Sequence, residues 1–263
     1  MIQNSKHKIS AALAVFNEEQ NLDQCLRSVV DWVEEIVVVD GDSTDKTREI
    51  AGKYQARVIK TTNKSIFHIN KQMAIDNCAG EWVLQLDADE VVSAELREEV
   101  IAVINDNLAL EAYFIPRKNF FLGRWLKKGG QYPDGVIRLF KNGKAKLPCR
   151  SVHEQMQVNG QVGWLKSPLF HYPYPSFAEY LKKSDRYTSL SANELFRQKE
   201  KPGFGSFFKA YLKAEKTFWQ IYLRHKGFLD GFPGFIFALY SGLHQITAYV
   251  KFWELYRKKK DSG

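Results

Sequence analysis

Three carboxylates follow an apolar run in the segment EWVLQLDADEVV, residues 81–92: Asp87, Asp89 and Glu90, with a single alanine among them. Two such charges about 4 Å apart, at an effective dielectric near 20, repel by roughly 4 kcal/mol. Either water screens them in a turn, or a cation sits between them. Residues i and i+2 of an extended chain share a face, so Asp87 and Asp89 are placed to point together. A Mg²⁺ or Mn²⁺ site takes one or two carboxylates and completes its shell with phosphate oxygens and water. The expected partner is therefore a metal-bound diphosphate, with a solvated acidic turn as the competing reading.

Other chemistries find little support. There is no G-x-x-x-x-G-K-[ST] loop, no G-x-G-x-x-G turn and no G-x-S-x-G elbow. The six histidines never occur as H-x-x-x-H, and no Cys/His zinc spacing is present. Cys25, Cys78 and Cys149 lack C-x-x-C spacing, which favours a reduced, cytosolic compartment. The opening MIQNSKHKIS has no apolar h-region, so no signal peptide is expected.

The elements that must position the acids alternate in period. Residues 9–16, 35–40, 56–60 and 81–87 read as buried strands. Residues 21–33, with Leu22, Cys25, Leu26 and Val29 on one face, read as a helix, as do 43–54 and 66–80. This β-α-β-α-β-α-β series predicts an α/β fold with a mostly parallel sheet sandwiched by helices. Ligands of such sheets bind beyond the carboxyl ends of the strands. That rule selects Phe16-Asn17-Glu18, Asp40-Gly41-Asp42 and Asp87-Ala88-Asp89. Asp42 and Asp45 are also placed to cap the next helix, whereas Asp40 ends an apolar strand directly before a glycine and reads as functional. Further on, 93–104 reads as a helix and 112–117 and 136–141 as strands. Residues 120–135, rich in Gly, Lys and aromatics, read as a long mobile loop, either a lid over bound ligands or an ordinary exposed basic loop.

Charge separates the chain into two parts. Residues 1–175 hold 22 basic and 22 acidic side chains, and residues 176–263 hold 16 and 8, so the whole net charge of +8 lies in the tail. Sixteen of the 36 aromatics fall between Phe204 and Tyr256. The expected domains are 1–175, carrying the site, and 176–263, a basic helical tail suited to an anionic membrane surface. Phe207, Tyr211, Phe218 and Tyr222 form one apolar stripe of an amphipathic helix, with Lys209, Lys213 and Lys216 opposite. Nucleic acid is disfavoured, because a stacking platform interleaves its basic and aromatic groups on one surface. Residues 231–250 lack Asp, Glu, Lys and Arg but contain Pro233, His244 and Gln245, so an interfacial or packed segment is expected in place of a spanning one.

The segments AALAVFNEEQNL, EIVVVDGDSTDKT, the helix bearing Lys71 and GEWVLQLDADE resemble the nucleotide-sugar domain of family 2 inverting glycosyltransferases of GT-A fold. YPDGVIRLFKNG, SVHE and KGFLDGFPGF resemble the bacterial lipopolysaccharide-core β-1,4-glucosyltransferases within that family. The resemblance implies that Phe16, Asn17 and Glu18 border the nucleotide pocket, that Asp40 accepts from the uracil ring and that Lys71 lines the site. It implies that Asp87 and Asp89 are the D-x-D pair, contacting ribose and a diphosphate-bound Mg²⁺ or Mn²⁺. Glu154 matches the catalytic base, although this chain has His153-Glu154 where many relatives have Glu-Asp. His153 and His171 read as hydrogen-bonded structural residues, with metal ligation as the second reading of His171. Arg138 reads either as a diphosphate or acceptor contact or as a structural strand residue.

The expected activity is metal-assisted transfer of a hexose, glucose foremost, from a UDP-sugar to a lipid-linked acceptor such as the lipopolysaccharide inner core. The expected location is peripheral, on the cytoplasmic face of the inner membrane. Two alternatives stand beside it: a polyprenyl-phosphate sugar synthase, and a non-catalytic nucleotide-sugar or membrane-binding module.

Overall fold

A computed structural model describes residues 8–150, 155–198 and 201–261. The chain divides into two compact units, Met1–Arg117 with Asp134–His171, and Lys118–Pro133 with Tyr172–Gly263.

In chain order the elements up to His171 are β1 (Ile9–Val15), α1 (Leu22–Arg27), β2 (Glu35–Asp40), α2 (Thr47–Lys53), β3 (Arg57–Lys60), α3 (His68–Asp76), β4 (Trp82–Leu86) and β5 (Glu90–Val92). There follow α4 (Ala94–Ile104), β6 (Ala112–Phe121), β7 (Arg124–Trp125), β8 (Asp134–Lys141), β9 (Ala145–Lys146), β10 (Gln157–Val158), β11 (Val162–Trp164) and β12 (Leu169–His171). The main sheet of the first unit has the order β3-β2-β1-β4-β8-β6-β12-β5, with β11 beside β6. Its first four strands are parallel, whereas β8 runs antiparallel to β4 and β6 to β8. The parallel part is the βα series read from the sequence, and the antiparallel part completes a mixed sheet.

Alternation along each strand feeds two cores. Ala11, Leu13 and Val15 pack with Leu22, Cys25 and Leu26 of α1 and Leu96 and Val100 of α4. Ala12, Val37 and Val39 face the other way, onto Ala74 and Ile75 of α3. Both faces are therefore covered, as a central parallel sheet requires. Gly80 admits the chain into β4, because a Cβ there would lie 2.6 Å from Ser10 Oγ and 2.9 Å from its backbone nitrogen. Register places Val15 beside Asp40 and Leu13 beside Leu86, so the carboxyl ends of β1, β2 and β4 reach one edge. All three cysteines are free thiols.

In the second unit, the end of β6 and β7 form a hairpin, Phe120 opposite Trp125 and Phe121 opposite Arg124, turning through Leu122 and Gly123 at φ 50° and 74°. Three helices follow: α5 (Phe177–Arg197), α6 (Phe204–Trp219) and α7 (Gly231–Asp261), with a π-helical turn at Gln220–Arg224 and a 3₁₀ turn at Gly227–Asp230. Phe121, Leu126 and Tyr180 form one core with Phe177, Phe237 and Tyr240, and Ala192, Tyr249 and Phe252 form another. α6 meets α7 closely at Gly242, where a Cβ would stand 2.9 Å from the carbonyl oxygen of Ala214.

The segment expected to be a mobile loop is pinned within this unit. Buried Asp230 accepts the backbone N–H groups of Lys127 and Lys128 at 3.2 and 2.8 Å, and the N–H of Gly129 donates to the His225 carbonyl at 2.9 Å. Its composition gave no sign of this, because the anchoring carboxylate lies a hundred residues away in sequence.

Candidate active site

The edge where β1, β2 and β4 end carries two groups of polar residues. In the first, the segment after β1 is stitched to the segment after β2. Asn17, at φ 54°, donates its backbone N–H to Ser43 Oγ at 2.9 Å, and its Oδ1 accepts from the Thr44 N–H at 2.8 Å. The Glu18 N–H donates to Thr47 Oγ1 at 2.8 Å, and Asn21 Nδ2 donates to Glu18 Oε2 at 2.8 Å. Asp40 is fully buried; its two oxygens accept the Ser43 N–H at 3.3 and 3.2 Å, and Arg48 Nη1 lies 3.5 Å away. Asp45 accepts the Thr47 backbone N–H at 3.0 Å in a turn ahead of α2, whose cap position is Lys46, while Asp42 is exposed at φ 71°. These bonds fix the shape of the edge and leave the Phe16 ring 41 % exposed beside it.

The second group surrounds Asp87. Its Oδ1 meets the Lys71 ammonium, projected from α3, and its Oδ2 accepts from Arg138 Nη2 of β8 at 2.6 Å. The same Nη2 donates to Glu90 Oε1 at 2.7 Å, and Gln85 Oε1 accepts from Arg138 Nη1. Glu90 is fully buried; its Oε2 accepts the Asp87 N–H at 2.9 Å, and Arg117 approaches its Oε1 at 3.4 Å. Arg117 in turn donates to Asp134 at 2.7 Å, its cross-strand partner on β8. Burial alone would raise the Asp87 carboxyl, but the charges of Arg138 and Lys71 outweigh it and hold it well below the ordinary carboxylate range. Burial likewise opposes the charge on Arg138, and Asp87 and Glu90 reverse that effect, so the guanidinium stays protonated. Arg138 Nε is buried without a partner among the described residues, at a cost of about 1–3 kcal/mol.

Asp87 and Asp89 do not alternate along a strand as expected. The Glu90 N–H donates to the Asp87 carbonyl at 3.0 Å, so residues 87–90 turn, and the two aspartates take different partners. Asp89 Oδ1 lies 3.6 Å from His171 Nε2. Among the described residues no three His, Cys, Asp or Glu side chains converge to cage a metal. An Asp89–His171 pair offers one oxygen and one nitrogen, a partial donor set that fits a divalent ion completed by phosphate and water.

A cavity of about 230 Å³ adjoins the Asp87 cluster, lined by Lys71, Asp87, Arg138, Arg117, Phe67, Phe114 and Met156 among others. Glu154 and His153 lie outside the described residues; Gln155 and Met156, next in the chain, line the cavity. The structure thus joins Lys71 to Asp87, and Asn17 and Glu18 to the segment after Asp40, with Phe16 next to them in the chain. It adds Arg117, Asp134 and Gln85, which sequence reading did not select. A charge inside the apolar run VIRLF was the one signal for Arg138.

The sequence model described as glycosyl transferase family 2 matches residues 10–158, more than half of the 263. An uncharacterised glycosyltransferase of Rickettsia typhi is 28% identical over 269 residues, covering 97% of this chain and 89% of the relative. The lipopolysaccharide core biosynthesis glycosyltransferase LpsC of Rhizobium meliloti is 25% identical over 266 residues, covering 97% and 95%. Among solved structures, TarS residues 1–349 of S. aureus in complex with UDP share the fold at 18% identity and a TM-score of 0.51, covering 96% of this chain and 92% of that one. The complex of TarS with UDP-GlcNAc agrees, at 19% identity and the same TM-score of 0.51. The chain, with its GT-A architecture, belongs to glycosyl transferase family 2.

Proposed function

We propose that the protein is an inverting, metal-dependent glycosyltransferase that moves a hexose, glucose foremost, from a UDP-sugar to a lipid-linked acceptor such as the lipopolysaccharide inner core. The observation that carries this reading is the Asp87 carboxylate gripped by Lys71 and Arg138 beside a cavity, at the edge where the parallel strands end. The likeness to LpsC supports a lipopolysaccharide-related acceptor. TarS, solved with UDP and with UDP-GlcNAc, supports a UDP-sugar donor.

In this mechanism Phe16, Asn17, Glu18 and Asp40 border the nucleoside, and Lys71 and Arg138 stand where negative charge grows on the departing diphosphate. Asp89 and His171 are the residues that would hold Mg²⁺ or Mn²⁺, while Asp87, held by Lys71 and Arg138, would face the nucleotide. When bound, that ion supplies Lewis-acid stabilisation of the leaving group. A sugar hydroxyl is a weak nucleophile at neutral pH and needs a base within about 3 Å of its proton; Glu154 takes that role. The acceptor oxygen bonds to the anomeric carbon as the bond to diphosphate breaks, the electron pair leaves with UDP, and the proton passes to Glu154. A single displacement of this kind turns an α-linked donor into a β-linked product. The acceptor's lipid places the enzyme on the cytoplasmic face of the inner membrane.

The test is transfer from radiolabelled UDP-glucose by the purified chain, with lipopolysaccharide inner core and polyprenyl phosphate as parallel acceptors. Product on the core, reduced about a hundredfold or more in Asp89→Asn, is the expected result. Product on polyprenyl phosphate alone would replace the acceptor, and turnover unchanged in Asp89→Asn would remove the metal from the mechanism.

A further inference from the structure

α6 carries two adjoining apolar stripes, the first partly covered, with Phe207 and Tyr211 38% and 41% exposed, and the second more open. The stripe read from the sequence turns toward α7: the Phe207 ring lies 5.5 Å from that of Tyr249, and Phe218 lies 6.0 Å from Phe235. A second stripe, Phe204, Phe208, Leu212 and Trp219, follows spacings of four, four and seven and falls within about 80° of the helix circumference. These four side chains are 85%, 49%, 50% and 49% exposed. Lys209, Lys213 and Lys216, all exposed, occupy roughly the next 60°. Past the helix, Phe228 and Phe232 are also exposed. Single exposed apolar residues are ordinary, but a continuous row of them marks an interaction surface.

The chemistry of this surface favours a lipid bilayer over a protein partner. An apolar stripe with a sector of lysines along one side suits the headgroup boundary of an anionic bilayer, where the lysines reach phosphates while the apolar groups enter the acyl region. The charge is complementary as well, since residues 176–263 hold the entire excess of basic groups. No helix among the described residues is long and apolar enough to cross a membrane. One acid lies inside the more open sector: Glu215 Oε2 accepts the Trp219 indole N–H at 3.1 Å. Its charge and that indole set a shallow depth, at the level of the headgroups.

We propose that α6 lies flat on an anionic membrane, with Phe204, Phe208, Leu212 and Trp219 inserted at the headgroup–acyl boundary and Lys209, Lys213 and Lys216 against lipid phosphates. This rests on the membrane-located acceptor proposed above and names the surface that reaches it. The experiment is co-sedimentation of the full chain with phosphatidylglycerol-containing vesicles, for the wild type and for Phe208→Ser/Leu212→Ser. Quenching of Trp219 by brominated lipid is read in parallel, as the wild type minus Trp219→Phe. The wild type is expected to bind, about fivefold more weakly for each of the three lysines neutralised at low salt. The double serine variant should bind about tenfold more weakly or worse, and Glu215→Gln should bind more tightly. Trp219→Phe keeps an apolar ring in the stripe, so an unquenched Trp219 overturns the stripe even if the double serine variant misfolds. Vesicle binding equal in the wild type and a folded double variant, with Trp219 unquenched, overturns the stripe and leaves the membrane reading standing. A wild type that ignores vesicles overturns both. A wild-type dimer that the serine variant converts to monomer assigns the stripe to a second copy of the chain instead.

Discussion

The two units treat positive charge in opposite ways. Around Asp87, Lys71, Arg138 and Arg117 are largely buried, and each meets a named carboxylate. Along α6, the lysines stand in solvent beside exposed aromatic rings. A buried cation without its partner is costly, so the first arrangement fixes geometry. An exposed cation contributes little to stability and acts at a distance instead. Substitutions in the two units should therefore separate stability from association.

The largest contrast is expected from Asp87→Asn. It strips Lys71 and Arg138 of a shared counter-charge and should lower stability by about 3 kcal/mol, with transfer reduced about a hundredfold or more; chemical denaturation and the transfer assay read the two effects. The same variant tests the acid limb. The folded Asp87 carboxyl titrates well below the ordinary range, so its stabilisation is complete above about pH 4 and lost only as pH falls through the depressed folded value. Asp87→Asn should flatten the stability curve below pH 4 and not above it.

Next comes Glu90→Gln. Glu90 is fully buried behind Arg138 and lines no part of the cavity. Weakening its hold on Arg138 should cost about 2–3 kcal/mol and raise KM for the UDP-sugar more than it lowers kcat. Equal loss in both would mean that Arg138 needs no such orientation. In the helical unit, Asp230→Ala removes the acceptor for two backbone N–H groups and should cost about 2 kcal/mol. Hydrogen exchange at Lys127 and Lys128 should rise with it. The smallest effect is expected from neutralising Lys209, Lys213 and Lys216 together, which should leave the melting temperature within about 2 °C of the parent. A large drop would show that these lysines stabilise the fold and would dissolve the contrast.

Much of the first unit was legible because its signals are local. Alternation and helical period mark β1 to β4 and α1 to α3, and the carboxyl-end rule then points to Phe16–Glu18, Asp40 and Asp87 without any coordinates. What stayed hidden depends on register. Arg117 finds Asp134, and Arg138 finds Asp87 and Glu90, through antiparallel pairings between strands distant in sequence. The reversal at 87–90 was hidden for a related reason: Glu90 folds back on the Asp87 N–H, and no spacing distinguishes that from an extended run. In the tail, periodicity found a real apolar stripe on α6, but a helix with two stripes does not say which one its neighbour covers.

The close approach at Gly242 fixes how α6 and α7 sit along one another. With no room for a Cβ against the Ala214 carbonyl, α6 and α7 interlock at one notch. A slip of one turn, about 5.4 Å, would carry a bulkier side chain, Ile246 or Ala238, into the space that only hydrogen now fills. The register of the pair along its length is therefore held by the absence of a single carbon atom.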